Sequence, residues 1–160
     1  TTTVGIFGTS VIGLTLQQLL ILGLLANISG AIGCYLFGFL IKNDKFTVIL
    51  TLAILILLIL TISINTSQIL FVILVIIATF FTGPLQSSSR VIMANLTDDN
   101  RQGFSFGIFT LSGKITAFVG PICAALLTFL ISQRIGFAFS IVLLSLGLFL
   151  MINVSYNKKN

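Results

Sequence analysis

Acidic residues and histidine are nearly absent from this chain. Its 160 residues include three aspartates, no glutamate, no histidine and no tryptophan, and only 7% of the residues are charged. A soluble domain carries about 25% charged residues, so this chain cannot cover a globule with polar surface. Without histidine or acid pairs, the sequence also lacks the usual general acids, general bases and metal ligands. We therefore expect no enzyme activity, no cofactor and no bound metal.

Cysteine and clustered basic charge are also scarce. Cys34 and Cys123 lie inside apolar runs without metal-type spacing, and we interpret them as small buried residues rather than a disulfide or ligands. The net charge is +5, but the basic residues occur singly or in pairs. Recognition of anionic surfaces uses clusters of 4–8 Lys/Arg. The basic residues are therefore interpreted as topology determinants, and nucleic acid is not expected as a partner.

Long apolar runs make up most of the sequence, which is 57% hydrophobic. Runs such as 48–64 and 69–81 have no polar face at helical or strand spacing. Helices that are apolar all round are membrane spans or deep cores, and a chain of this length cannot bury five of them. The sequence predicts an all-α, polytopic membrane protein in a lipid bilayer, with one helical domain over 1–160. Its predicted complete spans are 16–41, 46–64, 69–96, 104–131 and 135–153.

The first residues predict a partial span. A helix from Thr1 to Leu14 would be about 21 Å long, too short for a hydrocarbon core of about 30 Å. We expect 1–14 to be the end of a sixth span that begins upstream in a longer gene. The next helix has a clear start, because Thr15 and Gln18 match a capping box ahead of an apolar run.

The loop charges predict an orientation. One side of the membrane carries five basic residues and the other carries only Arg134. The positive-inside rule places the more basic side, and with it the C-terminus, in the cytoplasm. The five residues are Lys42, Lys45, Arg101, Lys158 and Lys159.

The span 16–41 carries small residues on one helical face. Such a stripe lets neighbouring helices approach closely. Asn27 lies on this face and needs a hydrogen-bond partner, so it either bonds across to another helix or lines a cavity. The stripe consists of Gly23, Asn27, Gly30, Cys34 and Gly38.

The hairpin from Gly83 to Pro121 contains the only two charges inside apolar runs, Arg90 and Lys114. Arg90 lies about 10 Å along its helix from the hairpin turn, and Lys114 about 15 Å along the other. Polar side chains accompany both, and small residues leave room around Lys114. The candidate transport-pathway residues are Gln86, Ser89, Arg90, Thr110, Ser112 and Lys114, together with Asn27.

Lys114 has no acid at its own depth, because the three aspartates, Asp44, Asp98 and Asp99, lie in predicted cytoplasmic loops. A charge inside the membrane is costly and normally paired. Three interpretations remain open. Lys114 pairs with an acid on another segment, contacts an anionic group of a substrate, or is buried in the neutral form.

The hairpin motifs resemble a known family. A Gln86-x-x-Ser89-Arg90 element and the element Ser112-Gly-Lys114-x-x-Ala-x-x-Gly-Pro121 are similar to the tenth and eleventh spans of a major facilitator transporter. The likeness is greatest to the vacuolar-effluxer-like branch, which includes autophagy-related amino-acid effluxers and bacterial relatives. The stretch from Gly38 to Lys45 departs from the family, because it lacks the acid at the expected place of the usual loop motif.

This resemblance implies one six-helix half of a secondary transporter. The expected function is efflux of a small polar solute such as an amino acid, by alternating access, together with a missing N-terminal half or a second six-helix chain. The alternative is a truncated or degenerate membrane protein without transport activity, acting as a helical scaffold or partner subunit. The composition, rich in Ile, Asn, Lys and Phe, favours a bacterial inner membrane, with an organellar membrane as the alternative.

Overall fold

The computed structural model describes residues 5, 8–9, 12–41, 43–64, 67–97, 102–130 and 133–154. Within these residues the regular structure is entirely α-helical. The apolar runs form the helices, and short polar stretches separate them. The helices are α1 (Leu16–Leu40), α2 (Asp44–Ile64), α3 (Gln68–Leu96), α4 (Gln102–Leu130) and α5 (Gln133–Asn153).

Four of these helices, α1 to α4, are long and apolar enough to cross a membrane. The described apolar part of α5, Phe139–Asn153, is shorter. Many large apolar side chains of these helices are not covered by other parts of the chain, as expected for helices that contact lipid. The predicted fold class is confirmed: this is an all-α, polytopic, integral membrane protein.

The start of α1 is held by the predicted capping box. The Thr15 hydroxyl accepts a hydrogen bond from the Gln18 amide, and the Gln18 side chain accepts one from the Thr15 amide. The Gln68 amide group, at the start of α3, donates to the Ile12 carbonyl at 2.8 Å. The expected partial span 1–14 lies largely outside the described residues.

Helices α1 and α3 pack with their backbones in close approach. A Cβ atom on Gly33 would collide with the Phe80 carbonyl group, and one on Gly83 would collide with the Gly30 carbonyl group. The Ser29 hydroxyl donates across the interface to the Ile76 carbonyl oxygen at 3.0 Å. Glycine at these positions therefore sets the separation of the two helices.

The small-residue face of α1 is only partly used in this contact. Gly30 faces α3, whereas a Cβ atom on Gly23 or Gly38 would meet open space. Gly33, which the predicted stripe leaves out, makes the closest approach. Cys34 is a free, half-buried thiol. The contacting face of α1 is thus rotated from the predicted one.

Two apolar clusters fill the described core at opposite ends of the helices. One lies where α2 ends and α3 begins, and the other where α2 begins and α3 ends. The first contains Ile12, Leu14, Leu22, Ile62, Phe71 and Val75. The second contains Val48, Leu52 and Ile92, with Leu85, Leu144, Leu148 and Met151 packed against them.

The helices contact one another in a fixed order. Helix α3 packs broadly against α1 and α2, α2 packs against α5, and α5 packs against α4. The tight α4–α5 contact depends on Gly136, where a Cβ atom would collide with the Thr128 hydroxyl. Between α3 and α4, by contrast, the described residues make only sparse contact. The two arms of the hairpin are therefore held by other helices rather than by each other.

Lys45 joins the beginning of α2 to the end of α5. Its ammonium group donates to the carbonyl oxygens of Ile152 at 3.2 Å and Val154 at 2.7 Å. Ile152 lies in the last turn of α5 and Val154 directly follows the helix, so the ammonium group sits at the negative end of the helix dipole. The start of α2 and the end of α5 consequently lie on the same side of the molecule.

We expect Lys45→Met to lower the free energy of unfolding by about 0.5–1 kcal/mol, because it leaves those carbonyls without a cation. Lys45→Arg keeps the charge and should recover most of the loss. The fraction of purified protein that stays monodisperse after heating measures the effect. Equal heat resistance of Lys45→Met and the unaltered chain would show that the two bonds add nothing to stability.

Candidate functional site

An open cavity of about 540 Å³ lies between α3 and α4. Helix α3 contributes Arg90, and α4 contributes the remaining wall. Phe106, Thr110, Gly113 and Ala117 recur every three or four positions and share one face of α4. The wall from α4 consists of Phe106, Phe109, Thr110, Ser112, Gly113, Lys114 and Ala117.

Sparse packing and small side chains account for this space. The arms of the hairpin make little contact with each other, and Gly113 and Ala117 place almost no side-chain volume in the gap. Apart from the adjoining residues and backbone of its own helix, no heavy atom lies within 4 Å of where a Cβ on Gly113 would be. The predicted room around Lys114 is present.

The cavity carries two positive charges. The guanidinium group of Arg90 and the ammonium group of Lys114 both line it, and both side chains are exposed. Among the described residues, no carboxylate lines the cavity. Asp44 lies in the first turn of α2, and Asp98 and Asp99 are outside the described residues. Burial of Lys114, one of the three open interpretations, is not observed within this chain.

A second cavity, of about 410 Å³, adjoins the first along α4. Phe106, Thr110 and Lys114 line both, and Gly107 and Leu111 complete the second. Lys114 can therefore be approached from two sides of its helix. A side chain that lines two adjoining cavities can contact a ligand in either of them.

Four of the seven predicted pathway residues line the same cavity: Arg90, Thr110, Ser112 and Lys114. The Ser112 hydroxyl donates a hydrogen bond to the Phe109 carbonyl oxygen at 2.8 Å. That bond leaves the lone pairs of Ser112 available to a donor from outside.

The other three predicted residues lie elsewhere. Gln86 is exposed on α3 and Ser89 is half-buried, with its hydroxyl donating to the Leu85 carbonyl oxygen at 2.6 Å. Asn27 is exposed on α1, and its amide donates to the Gly23 carbonyl oxygen of its own helix at 2.8 Å. None of the three lines the cavity, and their part in a pathway stays a prediction.

Phe106 and Phe109 are cavity residues that the sequence reasoning missed. Phe106 lies four positions before Thr110, and Phe109 lies four positions before Gly113, so each is one helical turn from another cavity residue. A count of one helical turn back from Thr110 and Gly113 could have found them. They give the cavity apolar walls beside its polar groups, the combination typical of small-molecule sites.

Comparisons with curated proteins and with solved structures found no match. The family model described as "Vacuole effluxer Atg22 like" matches residues 1–160. This match agrees with the resemblance of the hairpin motifs and with the transporter-like character of a cationic cavity between membrane-spanning helices. The chain belongs to the vacuole effluxer Atg22-like family of membrane proteins.

Proposed function

We propose that this chain forms one helical half of an efflux-type secondary transporter and that the α3–α4 cavity is part of its solute path. One observation carries the proposal: Arg90 and Lys114, on two membrane-spanning helices, line one open cavity. Ionisable residues within spans commonly mark substrate and ion pathways. The membership of the effluxer family supports the same function.

A second group of helices completes the path in this proposal. Helix α4 is the least buried of the long helices, with 6% of its most apolar window buried. The exposed part of α4 includes Thr110, Ser112, Lys114 and Thr116. A lysine facing hydrocarbon at mid-depth costs about 2.5–3.5 kcal/mol. A second six-helix half, or a second chain, covering this face would remove that cost and enclose the cavity.

Transport then proceeds by alternating access, with the two halves rocking around a site near the midplane. The family name and the motifs support a small polar solute, and an amino acid is the first solute to test. The composition supports a bacterial inner membrane, and the distribution of basic residues supports a cytoplasmic C-terminus. The Lys45 bonds agree with this topology, because they put the start of α2 and the end of α5 on one side.

Counterflow in proteoliposomes tests the proposal. Membranes expressing the full-length gene are extracted in native nanodiscs, so that partner helices are retained, and the protein is then reconstituted. We expect vesicles loaded with an unlabelled amino-acid mixture to accumulate labelled amino acid faster than protein-free vesicles. Absence of exchange for every solute, with no helical partner in the preparation, would instead identify a scaffold without transport activity.

A further inference from the structure

We infer that the α3–α4 cavity binds an organic anion whose carboxylates outnumber its amino groups, rather than a zwitterionic or cationic solute. This inference rests on the proposed function and adds the charge class of the solute. It follows from the charges that line the cavity, from the polar groups between them, and from the size of the space.

The charges favour an anion. Arg90 and Lys114 reach the same cavity from different helices, and no carboxylate among the described residues lines it. Neither cation makes an ion pair or hydrogen bond among the described residues. Two like charges around one space of low polarity repel each other. An anionic ligand between them relieves this repulsion, whereas a cationic ligand adds to it.

The two cations suit carboxylates in complementary ways. The planar guanidinium group of Arg90 binds a carboxylate through two parallel hydrogen bonds. The ammonium group of Lys114 is a compact point charge with three donors. A solute with two carboxylates offers one group to each of the two residues that line the cavity. A zwitterion leaves one cation unmatched and brings an ammonium group that finds no carboxylate among the described lining residues.

The rest of the lining fits a small organic molecule. A volume of about 540 Å³ lies within the range of small-molecule sites. Phe106 and Phe109 provide apolar surface for a short carbon chain, and the Thr110 and Ser112 hydroxyls lie on the same helix as Lys114. Inorganic phosphate or a lipid headgroup could satisfy the charges but would not use the aromatic wall.

Equilibrium binding of solutes of different charge tests the inference on the full chain in native nanodiscs. The labelled probes are succinate, alanine and putrescine, with inorganic phosphate as a competitor. We expect succinate to bind at least tenfold more tightly than alanine, and putrescine not to bind. Arg90→Gln and Lys114→Gln should each weaken succinate binding at least tenfold. Lys45→Gln, which removes a cation outside the cavity, should leave it unchanged.

Several results would overturn the inference. Alanine binding as tightly as succinate would remove the charge preference. Succinate binding that is absent, or unaffected by both variants, would favour a carboxylate on a partner helix as the counter-ion. Stronger competition by phosphate than by unlabelled succinate would favour a phosphate ligand. Loss of succinate binding on addition of phosphatidylglycerol would identify a lipid headgroup as the occupant.

Binding and counterflow together distinguish a failure of the anion site from a failure of the proposed transport function. Counterflow of a zwitterion without succinate binding would support the proposed transport function and rule out the organic-anion site. Succinate binding without counterflow of any solute would sustain the anion site and exclude transport. Size-exclusion profiles of the variants check folding, and loss of folding is not expected, because the Arg90 and Lys114 side chains are exposed.

Discussion

Gly33→Ala is expected to lower the free energy of unfolding by about 2–3 kcal/mol, a large effect for one added methyl group. The methyl group would collide with the Phe80 carbonyl group of α3. A carbonyl in a helix backbone cannot rotate away as a side chain can, so α1 and α3 must separate. Separation weakens the Ser29–Ile76 hydrogen bond and the contacts of the facing aromatic rings. For a chain of this size we expect a melting temperature lower by about 5–10 °C.

Gly23→Ala is the matched control for this substitution. Gly23 lies in the same helix, and a Cβ atom there would meet no atom within 4 Å. Both substitutions bring the same gain in helix propensity, so their difference isolates the contact with α3. Heating followed by size-exclusion chromatography measures both variants. If Gly33→Ala were as heat-resistant as Gly23→Ala, the close approach of α1 and α3 would not contribute to stability.

Lys114→Ala is expected to slow solute exchange about tenfold to hundredfold. This range corresponds to the loss of one hydrogen bond to a charged group, about 1.5–3 kcal/mol. The effect should be strong because Lys114 lines both cavities along α4. Initial rates of counterflow at equal amounts of reconstituted protein provide the measurement.

Two further variants make that result interpretable. Lys114→Arg keeps the positive charge and should retain more exchange than Lys114→Ala. Thr116→Val lies on the same helix, outside the lining of either cavity, and keeps the shape of the side chain; its exchange rate should match the unaltered chain. Wild-type exchange by Lys114→Ala would show that Lys114 does not contact the solute.

Local rules predict the helices of this protein well. The apolar runs and the polar stretches between them can be read directly along the sequence, and the length and hydrophobicity of a run are enough to predict a membrane span. The capping box of Thr15 and Gln18 depends on residues three positions apart, and the structure contains it. The expectation of an all-helical membrane protein therefore needed only composition and spacing.

Packing between helices was less predictable. The spacing of small residues pointed to Gly23, Gly30 and Gly38, of which only Gly30 lies against α3, and the closest approach is at Gly33. The rotation of a helix about its axis depends on the shape of its neighbour, here the backbone around Phe80. Gly136 was missed for the same reason, because its partner Thr128 lies on another helix.

The candidate site was predictable where charge marked it. Arg90 and Lys114 stand out in apolar runs, and the structure brings them to one cavity. Asn27 was grouped with them because a polar side chain in a span needs a partner. It finds one in its own helix, at the Gly23 carbonyl oxygen. Hydrogen bonding to the preceding turn satisfies an amide without any tertiary contact, so the polarity of Asn27 does not require it to line the α3–α4 cavity.

The sparse contact between α3 and α4 has a mechanical consequence. One wall of the cavity is attached to α1 and α2, and the other is attached to α5. Moving α4 together with α5 away from α3 breaks few contacts between the walls and keeps the tight packing at Gly136 intact. The width of the cavity can therefore change at low energetic cost to the α3–α4 contact. The α2–α5 interface resists that change, because it is the broad contact that links the two walls.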